Sequence, residues 1–201
     1  MVLGAGTGVL TARHFRAAPE PVPDIQGLLW PDPKLIGPFR ITRDDGSTTG
    51  PELLHGSWSL LFFGYTNCPD ICPLTLSVLG QAYPALQAAA AGAKVQVIFV
   101  SVDPGRDSTQ RIAEYVHYFN PAFIGLGGPE AQLGSLARQF GVAYFSNQPA
   151  ADGTYAVDHS AAIFVVDPAG RFVGVLSAPH RREQVVARFA SMVSFINSRN
   201  G

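Results

Sequence analysis

Trp58-Ser59-Leu60-Leu61-Phe62-Phe63-Gly64-Tyr65-Thr66-Asn67-Cys68-Pro69-Asp70-Ile71-Cys72-Pro73 carries the only two cysteines of the chain. The run from Trp58 to Tyr65 is almost wholly apolar, as expected of a strand buried on both faces. Beyond Pro73, Leu74, Val78, Leu79 and Leu86 recur at rough helical spacing. The two sulfurs therefore stand where a core strand hands over to a helix. A helix start favours negative charge, and the thiolate is the working form of cysteine in metal binding and in disulfide exchange. Both cysteines precede a proline, a position that disfavours helical geometry. The expectation is a loop that carries both sulfurs and enters the helix near Pro73. Pro84 is expected to kink or end that helix.

Downstream, residues 94–102 read as a second buried strand. Asp107 with Gln110 reads as the capping box of a helix whose apolar face is Ile112, Tyr115, Val116 and Phe119. Residues 123–126 form a short strand candidate. Pro129 suits the first turn of a third helix, lined by Leu133, Leu136 and Phe140 and stopped at Gly141. A short strand over 142–145 and a polar segment with an Asp-Gly turn follow. Residues 161–166 and 172–176 flank Asp167-Pro168-Ala169-Gly170 as a hairpin. Pro179 precedes a last helix with Val185, Val186, Phe189, Val193 and Ile196 on one face.

Upstream, residues 39–42 and the Asp44-Asp45-Gly46-Ser47 turn read as an N-terminal hairpin. Residues 17–38 are proline-rich and read as an extended linker along the surface. The strand–helix–strand part demands a parallel pair with a right-handed crossover. The late hairpin adds antiparallel strands to the same sheet. Together these define an α/β, thioredoxin-like fold: a central mixed β-sheet flanked by helices, with an N-terminal hairpin.

Composition fits one such domain. Of 201 residues, 47% are apolar and 14% charged, which places the chain among globular proteins. The net charge of −1 offers no basic footprint for nucleic acid. Residues 1–12 are apolar and glycine-rich, but shorter than the roughly 20 residues a spanning helix needs. They read as a frayed terminus or as the remnant of a membrane anchor. The division expected is 1–38 as N-terminal segment and linker, and 39–201 as the folded domain.

Three uses are open to the cysteine pair: binding a soft metal, cycling between dithiol and disulfide, or a static local staple. A staple over so short a loop removes little unfolded-chain entropy. Zinc in structural sites wants four ligands, and the chain has no second cysteine pair. Cu(I) is soft and accepts low coordination, and an added imidazole makes Cu(II) tolerable. The five histidines are His14, His55, His117, His159 and His180. His159 stands out because Tyr155-Ala156-Val157-Asp158-His159-Ser160 leads straight into an apolar strand. A surface or capping role is the ordinary reading of any one of them.

Three segments together resemble the Sco (SenC) family of copper proteins. They are Phe63-Gly64-Tyr65-Thr66-Asn67-Cys68-Pro69-Asp70-Ile71-Cys72-Pro73, Phe99-Val100-Ser101-Val102-Asp103-Pro104-Gly105-Arg106-Asp107 and Val157-Asp158-His159-Ser160. The resemblance runs from about residue 39 to the last helix. It implies a thioredoxin-like fold with a copper ion bound by Cys68, Cys72 and His159. It implies a metallochaperone that assists copper delivery to cytochrome c oxidase. The partners it implies are the copper-site subunit of the oxidase and other copper donors or thiol reductants. It further implies a membrane tether at the N-terminus, with the domain facing the bacterial periplasm or the mitochondrial intermembrane space.

The alternative is a thiol–disulfide oxidoreductase that reduces the cysteines of the oxidase copper site before metallation. Cys68 and Cys72 would then be the redox pair, with Cys68 attacking, and His159 would have no part. A peroxidase would want a Ser or Thr three residues before its cysteine, and Tyr65 and Pro69 stand there instead. Asp158 is either a turn residue or a weak fourth ligand. Asp103 and Asp107 read as structural, with Asp107 capping a helix. The polar segment 148–155 reads as a flap able to carry His159 toward the sulfurs.

Overall fold

The computed structural model describes residues 25–29, 32–151 and 153–200. The possible anchor at 1–12, His14 and the first part of the linker lie outside the described residues. The strands are β1 (Lys34–Leu35), β2 (Ile41–Arg43), β3 (Thr48–Thr49), β4 (Ser57–Gly64), β5 (Lys94–Ser101), β6 (Ile124–Gly127), β7 (Tyr144–Ser146), β8 (Val157–His159), β9 (Ile163–Val166) and β10 (Arg171–Leu176). The α-helices are α1 (Ile71–Ala89), α2 (Thr109–Phe119), α3 (Glu130–Gln139) and α4 (Arg182–Asn200).

Eight strands form one mixed sheet in the order β1-β10-β9-β4-β5-β6-β2-β3. β4 pairs with β5, and β5 with β6, in parallel; β9 lies antiparallel on the other side of β4. β7 and β8 form a separate two-stranded ribbon. Successive side chains of a strand point to opposite faces, and β4 uses both. Trp58 meets Phe189 of α4 edge-on at 5.6 Å, and Phe62 meets Phe99 of β5 at 6.3 Å. Phe63 points the other way, to Phe140 at the end of α3 and to Phe164 of β9. Helices thus cover both faces. β4 and β5 are buried over nearly their whole length, as their continuous apolar runs require. The fold is thioredoxin-like.

Three local readings are corrected. First, the stretch read as a linker joins the sheet before residue 39. β1 pairs with β10, Leu28 bridges to Gly174, and Ile36 is buried. Exposed backbone polar groups on a sheet edge are satisfied by pairing with whatever extended segment passes, and a proline-rich segment is already extended. Second, α1 starts at Ile71, so Cys72 lies within its first turn and only Cys68 is on the loop. Pro73 is tolerated there because an N–H in the first turn has no carbonyl four residues back to bond. The helix also runs through Pro84. Third, the N-cap of α2 is Ser108, whose hydroxyl accepts from the Arg111 N–H at 3.2 Å. Asp107 turns inward instead.

Candidate metal centre

β4 ends in Gly64, and the chain then turns over Tyr65–Asp70 into α1. A Cβ on Gly64 would stand 2.8 Å from the Cys72 sulfur and 2.9 Å from the Phe99 ring. The missing side chain is what lets Cys72 pack against the end of the strand. The Cys68 N–H donates to the Tyr65 carbonyl at 3.2 Å, closing the turn that lifts the first sulfur. Cys72 is fully buried, Cys68 half-buried, and both thiols are free.

Asp107 braces this loop from beneath. Its carboxylate accepts from the Thr66 N–H (2.9 Å), the Thr66 hydroxyl (2.5 Å) and the buried Ser101 hydroxyl (2.6 Å). Arg111 adds an outer tie, donating to the Thr66 hydroxyl at 2.8 Å and to Asn67 Oδ1 at 2.7 Å.

His159 arrives from the ribbon, at the end of β8. Its Nε2 lies 3.4 Å from the Cys72 sulfur. Its Nδ1 is 3.0 Å from the Ser160 carbonyl, which can only accept. Nδ1 therefore carries the hydrogen, and Nε2 turns its lone pair toward the sulfurs. Two rings stand edge-on to the imidazole, Phe62 at 5.9 Å and Tyr65 at 5.7 Å. The ligand atoms of Cys68, Cys72 and His159 all lie within 4.8 Å of one another, the one such cluster among the described residues.

The surroundings set the protonation states. Burial pushes the His159 imidazole below its ordinary 6.5, against the opposing pull of the Ser160 and Phe63 carbonyls and the Asp158 charge. The ring is thus kept neutral, the form that ligates. Burial pushes the Cys72 thiol up, aided by Cys68 and Asp107; the Tyr65 backbone N–H works the other way. Such a thiol gives up its proton to a cation rather than to water, so binding releases protons. Two sulfurs and one imidazole suit a soft or borderline ion of low coordination number, which copper is. A closed zinc site lacks its fourth ligand among the described residues.

Of the other candidates, Asp158 is exposed. It alternates with His159 along β8 and so faces away from the sulfurs. His55 lies against Gly170, His117 pairs with Asp44 at 3.2 Å, and the His180 ring bonds the Ala161 carbonyl at 2.7 Å. The segment read as a flap is the closed end of the β7–β8 hairpin: Asn147 donates to Ala156 and Ala150 to Thr154. The sequence reading names Gly64, Tyr65 and Asp107 but gives none of them a role at the site, and takes Asp107 for a helix cap. For Gly64 the signal is an isolated glycine at the end of an otherwise apolar strand, a mark of close approach by another group.

The fold and the site together define a class: thioredoxin-like domains with a Cys-x-x-x-Cys turn and a distant histidine converging on one point. A family model described as SCO1/SenC matches residues 30–194, and the chain belongs to this family. It is 40% identical over 144 residues to a mitochondrial SCO1 homolog of Arabidopsis thaliana, covering 72% of this chain and 42% of that protein. The chain spans about half the length of the curated relatives it matches. Among solved structures it resembles Arabidopsis thaliana ScoI with copper bound, with a TM-score of 0.73 and 36% identity over 82% of this chain and 99% of that one. It also resembles copper-bound ScoI of Bradyrhizobium japonicum, with a TM-score of 0.68 and 34% identity over 79% and 99% of the two chains.

Proposed function

We propose that the chain is a copper-binding metallochaperone that serves copper-site assembly of cytochrome c oxidase. Its ligands are Cys68, Cys72 and His159. The observation that carries this reading is the convergence of two thiols and an imidazole nitrogen that faces them, all within 4.8 Å of one another. Copper is the cargo, held as Cu(I) by the thiolates and as Cu(II) once the imidazole joins them. The copper bound in the Arabidopsis and Bradyrhizobium neighbours supports the choice of metal. The acceptor is the copper-site subunit of the oxidase, with other copper donors or thiol reductants as further partners. The domain works on the periplasmic side of a bacterial inner membrane, or in the intermembrane space of mitochondria. No described helix is long and apolar enough to cross a membrane. Thiol–disulfide exchange would need the cysteines alone; His159 beside them is what favours metal binding.

The test is a copper titration of the reduced protein, read by absorption and EPR. One copper per chain is expected, with a thiolate-to-Cu(II) charge-transfer band that Cys68→Ala, Cys72→Ala or His159→Ala each abolishes. Tight stoichiometric copper with an unchanged band in His159→Ala overturns the three-ligand site.

A further inference from the structure

We infer that Arg106 is a positioning residue for His159: it fixes where the imidazole stands relative to the two sulfurs without being a ligand. The inference rests on the three-ligand copper reading above and assigns a separate support to its histidine half.

Arg106 lies between β5 and α2. Its Nε donates to Asp103 Oδ2 at 2.5 Å, and Asp103 is buried. The other oxygen of that carboxylate accepts from the Tyr155 hydroxyl at 2.7 Å. Arg106 Nη1 donates to the Tyr155 carbonyl at 2.8 Å, and the guanidinium carbon sits 3.4 Å from the centre of the Tyr155 ring. Tyr155 is thus held at its backbone, its ring face and its hydroxyl by one Arg–Asp pair. The same guanidinium is 5.6 Å from the Tyr65 ring, which stands against His159. Arg106 Nη2 is buried without a hydrogen-bond partner. That costs free energy, so the stacked position is maintained by the other contacts.

The ribbon needs such an anchor. β7 and β8 have three residues each and pair only with one another. An isolated two-stranded ribbon is at best marginal in water. Tyr155 stands two residues ahead of β8, so pinning it pins the strand that ends in His159. The cysteine half has a brace of its own, because Asp107 holds Thr66 directly. Two ends of one short segment, Asp103 with Arg106 and Asp107, therefore each support mainly one half of the site, and the Ser101 hydroxyl, which accepts from the Asp103 N–H and donates to Asp107, joins them. Lysine would not substitute, since it lacks the planar fork that bonds and stacks at once.

The experiment uses the full chain with Arg106→Met and the double variant Arg106→Met/Asp103→Asn, which avoids leaving a buried carboxylate unpaired. In the reduced, metal-free protein, amide hydrogen exchange at residues 157–159 is expected to speed up at least ~10-fold while that of α1 stays as in wild type. On adding copper, Cu(II) affinity falls at least ~10-fold and the EPR signal of the bound ion broadens. Cu(I) affinity, which two thiolates can sustain, changes less than ~3-fold. Unchanged ribbon exchange and an unchanged Cu(II) signal overturn the inference. So does a uniform rise in exchange with equal losses of both copper forms, which marks general destabilisation. If wild type itself shows no His159-dependent copper band, the copper reading fails, and the exchange arm still decides whether Arg106 anchors the ribbon.

Discussion

Gly64 shows how a single missing side chain shapes the site. Its backbone is ordinary strand, so what the position demands is space: an added methyl would meet the Cys72 sulfur and the Phe99 ring inside 3 Å. Gly64→Ala is expected to cost about 1–3 kcal/mol, the usual range for overpacking a filled core. It should also weaken the thiolate-to-copper band, since Cys72 must yield. Urea unfolding and a copper titration of the variant check both. Protonation belongs to the same scale. Burial pushes both His159 and His180 below 6.5. Between the lowered folded value and 6.5 the unfolded chain binds more protons than the folded one, so stability falls as pH drops below about 6.5 and is fully present above it. Urea midpoints of the reduced, metal-free protein at pH 5 and pH 7.5 test the sign. His180→Gln, which keeps a donor for Ala161, should flatten the slope. The candidate ligands were legible because cysteine and histidine are rare and chemically distinctive. Asp107 was not. Asp107 and Ser108 are adjacent and both cap-competent, and the choice between them is made by Thr66, a partner 41 positions away that no local pattern displays.

At the level of elements, the same pair of residues separates helix stability from site stability. Ser108 caps α2 on an exposed surface, and Ser108→Ala is expected to cost about 1 kcal/mol with copper affinity unchanged. Asp107→Asn is a different matter. An amide keeps only one acceptor oxygen, so either the Thr66 hydroxyl on one side or the Thr66 N–H and Ser101 hydroxyl on the other lose their acceptor inside the protein. Hydrogen bonds to a charged group are worth about 1.5–3 kcal/mol, and the cysteine turn that Asp107 braces should loosen with them. The expected result is a larger fall in urea midpoint than for Ser108→Ala, together with weaker binding of Cu(I) as well as Cu(II). Equal copper affinities in the two variants would remove Asp107 from the site. Strands β4 and β5 were readable from composition because a doubly buried strand must be apolar throughout. The ribbon was half-readable. β7 fell close to the expected short strand, but β8 has only three residues, one of them exposed, and three residues carry no period. Helix α1 shows the opposite failure: Pro84 is a strong local breaker, yet the helix continues, held by Leu79, Ala82 and Leu86 buried on either side of it.

At the scale of the molecule, stability and the metal centre draw on different parts of the sheet. The centre hangs on β4, α1 and the β7–β8 ribbon. The edge strand β1 lies three strands from β4 in the sheet order, beyond β10 and β9. That edge is fastened by Ile36, whose N–H donates to the Gly170 carbonyl at 3.0 Å and whose side chain is buried, and by Gly37, whose N–H donates to Gln139 Oε1 at 2.6 Å. Ile36→Ala removes the buried part of this fastening. Large-to-small core changes cost about 2–5 kcal/mol, and an edge site free to relax belongs at the lower end, about 2 kcal/mol. The variant should therefore unfold at lower urea while its copper band and its Cu(II) EPR signal match wild type. A change in the copper spectrum would mean that the sheet edge and the ligand turn are coupled through β9 and β10. In that case the segment read from sequence as a mere linker would be helping to set the metal site as well as closing the sheet.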